Sequence, residues 1–334
     1  MPARARTALV LQGGGALGAY ELGAARRLYE DPAFAPGLIA GVSIGAITAV
    51  LLARPAKGLT PIQALERFWT EVTVSGWLLP PLVRPYAAAF GNPHFFMPRM
   101  DLMAMAGWTS LYDTQPLLRT LAGLVDVEAL ADPAAEPGLL VSATDVQAGQ
   151  IRYFYSRDGG LTLDHILASG SLPPSFPMTV IEGRAYWDGG LFDNTPMGAV
   201  LDRLGGGPDD ERTVYVVNLF PNEAPVPRTL AEVSERTMNL QFANKSCEDL
   251  KLLARFDEVA KLMELLDGLP GGNPVKGEPA YEAVARRAYV RAPRIVAITR
   301  PQLAGTFDGM DFSPDGIQAR SVEGYEQTAR ALAA

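Results

Sequence analysis

The chain has 334 residues, 48% hydrophobic and 20% charged, with 37 acidic against 29 basic side chains and a net charge of −8. That length supports one large or two ordinary hydrophobic cores, in a composition typical of globular proteins. The acidic balance, with no run of Lys and Arg, argues against a nucleic-acid partner; the single cysteine, Cys247, excludes an intrachain disulfide and fits a reducing compartment.

In chain order, TALVL (7–11) reads as a buried strand that runs into Gly13-Gly14-Gly15. ALGAYELGAARRLYED (16–31) follows with apolar residues at helical spacing. The basic start and apolar middle mimic a signal peptide, but the three glycines and Glu21 interrupt the apolar run. GLIAGVS (37–43) reads as a second strand and IGAITAVLLA (44–53) as a second helix. The uncharged span from Pro32 to Ala53 mimics a membrane helix, yet Pro36, Gly37, Gly41, Ser43, Gly45 and Thr48 favour a strand, turn and helix.

Residues 76–110 are rich in Trp, Phe, Met and Pro: Trp77, Phe90, Phe95, Phe96, Met97, Met100, Met103, Met105 and Trp108. Two readings stand side by side, a cap packed on the core and an apolar surface over the site that binds acyl chains or touches a membrane. Further strands are expected at GLLVSATDV (138–146), IRYFYS (151–156), AYWDG (185–189), TVYVVNLF (213–220) and RIVAITR (294–300). From Pro227 to Leu266 apolar residues recur every three or four, and DGLPGGNP (267–274) stops the pattern. Cys247 falls there and reads as a packed thiol on a helix. A last helix opens at Ser313-Pro314. Strand–helix alternation implies an α/β fold with a mainly parallel sheet.

Three motifs carry chemistry. Gly13, Gly15 and Gly18 satisfy G-x-G-x-x-G, which fits a dinucleotide phosphate or an oxyanion. The dinucleotide reading also wants an acid at the end of the next strand, to hold a ribose; that strand ends in Ser43. The second motif is Gly41-Val42-Ser43-Ile44-Gly45, a G-x-S-x-G elbow between a buried strand and an apolar helix. The following helix points its N-terminal amides at the site. A serine needs a base, and only His94 and His165 are available as histidines. Neither follows a suitable acid in the hydrolase order of Ser, acid, His, so a carboxylate is the expected base. The third motif, Asp188-Gly189-Gly190, offers one, although Asp-Gly is also a common turn dipeptide.

The three motifs in this order resemble the patatin-like phospholipase family, over about residues 7–220. LYDTQPLLRTL (111–121) and ASGSLPPSFP (168–177) are similar to blocks of its bacterial members. The resemblance implies a three-layer α/β/α fold with a Ser–Asp dyad. Ser43 would be the nucleophile, Asp188 the base, and the backbone around Gly13, Gly14, Gly15 and Ala16 the oxyanion hole, with Gly18, Gly41, Gly45, Gly189 and Gly190 as motif glycines. One departure is Leu17, where many relatives carry Arg. The expected domains are 1–225, catalytic, with the 76–110 cap, and 226–334, a mostly helical extension packed on it. The expected activity is hydrolysis of lipid-like carboxylic esters; the alternatives are a catalytically silent lipid-binding or scaffold protein and a nucleotide-dependent oxidoreductase. No cofactor or metal is expected. The expected partners are a lipid or acyl ester and, transiently, a membrane surface, with the 227–266 helices as a surface for self-association. The expected location is cytoplasmic, peripheral to a membrane.

Overall fold

The computed structural model describes residues 6–76, 87–205, 211–243, 258–259, 261–288, 293–305 and 307–333. Each glycine-punctuated unit of the sequence becomes a strand, turn and helix. β1 (Arg6–Leu11) leads through a 3₁₀ turn at Gly15–Gly18 into α1 (Ala19–Tyr29), and β2 (Leu38–Gly41) leads into α2 (Ile44–Ala53). Every residue of α2 is buried, which explains its membrane-like hydropathy; ten residues are too few to span a bilayer. Among the described residues no helix is long and apolar enough to cross a membrane.

α3 (Pro61–Glu71) starts at a capping box in which the Thr60 and Gln63 side chains bond each other's backbone N–H. β3 (Met97–Pro98) and β4 (Tyr112–Asp113) form a small antiparallel ribbon before α4 (Gln115–Leu124) and α5 (Val127–Ala131). Then come β5 (Gly138–Asp145), β6 (Gln150–Tyr155), α6 (Leu163–Ser169), β7 (Thr179–Ile181), β8 (Arg184–Asp188), α7 (Met197–Leu204), β9 (Arg212–Asn218) and α8 (Leu230–Ala243). α9 (Pro279–Ala288), β10 (Arg294–Thr299) and α10 (Pro314–Ala333) complete the chain. Cys247 and Trp77 lie outside the described residues, as does 244–257 of the segment expected to self-associate.

The main sheet runs β10-β9-β1-β2-β5-β8-β7, with β6 on the other edge of β5. From β10 to β5 all pairs are parallel; β6, β7 and β8 pair antiparallel. The larger core packs α1, α2 and α3 on one face, and a smaller core packs α7 on the other, giving the expected three layers. Register explains how distant residues meet. On one edge of β5, Gly41 of β2 pairs with Val141, while Asp188 of β8 pairs with Ala143. The two strands run head to head along that edge, so both carboxyl ends arrive on either side of Ser142.

After residue 226, the described elements β10 and α10 pack onto the same body. β10 is an edge strand of the main sheet. α10 lies along α1, and a Cβ at Gly23 or Gly324 would run into the other helix's backbone. α10 is capped as its sequence suggests, with the Ser313 hydroxyl accepting from the Gly316 N–H at 3.1 Å.

The 76–110 segment divides in two. Phe95 and Phe96 are 6% and 2% exposed and interlock with Phe176, Phe312 and Tyr112; the Phe96–Tyr112 ring centroids are 4.9 Å apart. These two rings belong to the core. Phe90, Met100, Met103 and Met105 are exposed.

Candidate active site

Ser43 stands between β2 and α2 with φ 55° and ψ −122°, a left-handed backbone that a non-glycine residue holds only when its surroundings impose it. Its N–H donates to the Ser169 hydroxyl at 3.0 Å. The helix tightens at once: the Gly45 N–H donates to the Val42 carbonyl at 2.8 Å and the Ala46 N–H to that of Ser43 at 2.9 Å. A Cβ on Gly41 would collide with the Gly45 carbonyl, and one on Gly45 with that of Leu11. Both glycines are therefore required by close backbone packing around the serine.

Asp188 is 2% exposed. Its carbonyl accepts from the Thr144 hydroxyl at 2.8 Å, and its N–H donates to the Ser171 carbonyl at 3.0 Å. Oδ1 accepts from the Gly190 N–H at 2.7 Å, and the Ser43 side chain lies close enough to the same carboxylate to favour its charged form. Burial raises the Asp188 pKa from the ordinary 3.8 to about 6, against the opposing pull of the Ser43 and Gly190 hydrogen bonds. Gly189 sits against Ser142 and Gly190 against the Asn194 side chain, where a Cβ would crowd either contact.

The glycine loop divides by role. The Gly13 N–H is occupied, donating to Asn194 Oδ1 at 3.1 Å. Ala16 is fully buried and does not line the cavity described below. Gly14 and Gly15 do line it, and among the described residues their N–H groups have no intramolecular acceptor. The same holds for Ile44, the first residue of α2, whose amide is one of the free donors every helix start leaves. Gly15 has φ +60°, and Gly18 lets α1 press against the Ile44 side chain.

Two side chains that sequence reasoning missed hold this loop. Asn194 Nδ2 donates to the carbonyls of Gly13 at 3.1 Å and Phe242 at 3.2 Å, so it ties the glycine loop to the D-G-G turn and to α8. Gln12 is fully buried. Its Oε1 accepts from the N–H groups of Leu219 and Phe220, and its Nε2 donates to Thr195 Oγ1 and the Phe242 carbonyl. The available signal was a polar residue closing an apolar strand, where burial without partners is costly.

Ser43, Asp188, Gly14 and Gly15 all face one cavity of about 280 Å³. Its walls are mostly apolar and include Phe95, Phe176, Phe220, Phe242, Met310 and Phe312. Leu17 lines it as well. Neither histidine does. His94 faces a separate polar groove beside Arg67 and Arg119. His165 packs its ring on Phe154, and its Nδ1 accepts from the Thr162 N–H at the start of α6. Among the described residues no three His, Cys, Asp or Glu side chains group as metal ligands.

A family model described as patatin-like phospholipase matches residues 9–201, more than half of the chain. No curated protein matches it. Among solved structures, VipD from Legionella pneumophila is 16% identical with a TM-score of 0.41; the alignment covers 98% of this chain and 66% of that one. The present chain thus spans just under two thirds of VipD. A chain of the complex of full-length SpcU with full-length ExoU, from the type III secretion system of Pseudomonas aeruginosa, is also 16% identical. Its TM-score is 0.30, over 96% of this chain and 77% of that one. The 9–201 match spans the glycine loop, the serine elbow and the Asp188 turn: the chain belongs to the patatin-like phospholipase family.

Proposed function

We propose that the protein is a serine acyl hydrolase acting on lipid-like carboxylic esters, with Ser43 as nucleophile and Asp188 as base. The observation that carries this is that Ser43 and the buried carboxylate of Asp188 converge on the wall of one apolar cavity. Asp188 takes the Ser43 proton as Oγ bonds to the ester carbon. The N–H groups of Gly14 and Gly15, joined by that of Ile44, receive the oxyanion, each donor being worth about 3 kcal/mol in such sites. On collapse the carbon–oxygen bond to the alcohol breaks, and Asp188 returns the proton to the departing oxygen. Water then attacks the acyl-serine, gives a proton to Asp188 and releases the acid, with Ser43 reprotonated. A pKa of about 6 makes Asp188 a far better base near neutral pH than an exposed aspartate.

A cavity of about 280 Å³ lies at the lower end of small-ligand sites and suits one acyl chain, with the rest of the substrate outside. The exposed methionines of 97–105 supply apolar contact with a lipid surface; Met100→Asp with Met103→Asp should slow hydrolysis in vesicles while sparing a soluble short ester. Equal rates on vesicles would refute that contact. A fluorophosphonate probe should label wild type at Ser43, and Ser43→Ala should lose label and at least about 1,000-fold in turnover. An unlabelled, inactive wild type that still binds lipid would make the protein a silent lipid binder.

A further inference from the structure

The family match ends at residue 201, yet the Ser43 cavity is closed by residues far beyond it. Residues 304–305 and 307–312, between β10 and α10, lie directly over the glycine loop. A Cβ on Gly15 would strike the Gly309 carbonyl, and one on Gly309 would meet that of Gly14 at 3.4 Å. Next to this contact Met310 and Phe312 enter the cavity wall.

This strap is firmly pinned. Asn239 of α8 brackets Ala304, donating to its carbonyl at 2.8 Å and accepting from its N–H at 3.0 Å. Arg320 of α10 holds the Asp311 carboxylate at 2.9 Å and the Asp311 carbonyl at 2.7 Å. The Val74 N–H donates to the Phe312 carbonyl at 2.9 Å. The Phe312 ring is buried, with its centroid 5.4 Å from that of Phe95 and 6.3 Å from that of Trp69. Met310 differs from it: it is only half-buried, and its unbranched thioether can adapt to what it touches.

We propose, resting on the acyl-hydrolase reading, that this strap is the specificity element of the site. Gly309 seats the oxyanion loop, Phe312 is the fixed wall of the acyl pocket, and Met310 is the adjustable wall that sets acyl-chain length. The substrate class this implies is an ester whose single acyl chain lies between Met310 and the Phe95–Phe96 side.

The test is kcat/KM on p-nitrophenyl esters from acetate to palmitate for wild type, Met310→Ala and Met310→Trp, with thermal melts for each. A one-methylene change in an apolar pocket shifts discrimination by 10-fold or more. The long-to-short ratio should therefore rise about 10-fold for alanine and fall about 10-fold for tryptophan. Ratios within about twofold of wild type in folded variants would overturn the proposal; if tryptophan does not fold, the alanine ratio decides alone. Fluorophosphonate labelling separates the two levels. A labelled Ser43 with unmoved ratios defeats only the strap's role, while an unlabelled wild type defeats the hydrolase reading and the strap with it.

Discussion

Asp188→Asn is expected to abolish turnover and to make the protein more stable. The wild-type carboxyl is held at a pKa of about 6 against an ordinary 3.8. That gap of about 2 units corresponds to about 3 kcal/mol. Because the folded-state pKa is raised, the unfolded chain releases the proton more readily. The associated stability is fully present below pH 4, declines as pH rises through the window from about 4 to 6, and is absent above it. Asparagine does not titrate, and its Oδ1 still accepts from the Gly190 N–H. The variant should therefore exceed wild type by up to about 3 kcal/mol at pH 8, by about half that at pH 5, and by little at pH 4. For 334 residues, with about 2.1 cal/mol/K per residue of unfolding entropy, that is about 4 °C at pH 8. The assay is a pair of melting curves at each pH, set beside the pH–rate profile of wild type. The rate should fall tenfold per unit below about pH 6. A variant-minus-wild-type difference that is flat between pH 5 and 8, or a rate limb near pH 4, would refute the reasoning.

Two further outcomes follow from where the side chains lie. Changing both His94 and His165 to Gln should leave kcat/KM within about threefold, since neither lines the Ser43 cavity; a folded but inactive double variant would restore a histidine to the mechanism. Phe95→Ser with Phe96→Ser should lower stability by several kcal/mol, given that truncating a buried Phe costs about 3–5 kcal/mol, and should reduce activity on butyrate and palmitate esters alike. A variant with unchanged melting that lost only palmitate would show the rings to be a lipid-facing lid, as the sequence pattern alone allows.

Much of this molecule was legible because glycine punctuates it. The helix read from IGAITAVLLA is α2 residue for residue, since Gly41 and Gly45 mark an elbow only one geometry satisfies. α3 was overlooked although Thr60-Pro61-Ile62-Gln63 carries the capping-box spacing realised in the structure. The turn reading of Asp188 holds, since it ends β8 and opens a 3₁₀ turn through its own side chain, and that turn leaves the carboxylate at the cavity for the proposed role of base. Hidden from the sequence were the contacts that close across long separations. Nothing local to Gly13 announces that Asn194 takes its amide, which leaves Gly14 and Gly15 as the free donors. RIVAITR reads as a strand, but only pairing with β9 reveals that it extends the catalytic sheet. Phe95 and Phe96 allow both readings of their segment, packed cap and apolar surface; burial of that pair depends on Phe176 and Phe312, far away in sequence.

The proposed dyad depends on the sheet being mixed. In an all-parallel sheet each carboxyl end has its own neighbour to the side, and two side chains at adjacent ends are separated by a strand spacing of about 4.8 Å plus whatever their loops add. Here β2 and β8 share one edge of β5 and approach from opposite directions, so Ser43 and Asp188, the proposed nucleophile and base, stand end to end across Ser142. This makes register decisive. A one-residue slip of β8 would turn Asp188 to the opposite face of the sheet and carry its carboxylate away from Ser43 without changing any residue. Thr144 guards against that slip, because its hydroxyl donates to the Asp188 carbonyl at 2.8 Å, while the Asp188 N–H is held by the Ser171 carbonyl. Both bonds act on the Asp188 backbone and leave its carboxylate to the Gly190 N–H and to the cavity that Ser43 also lines.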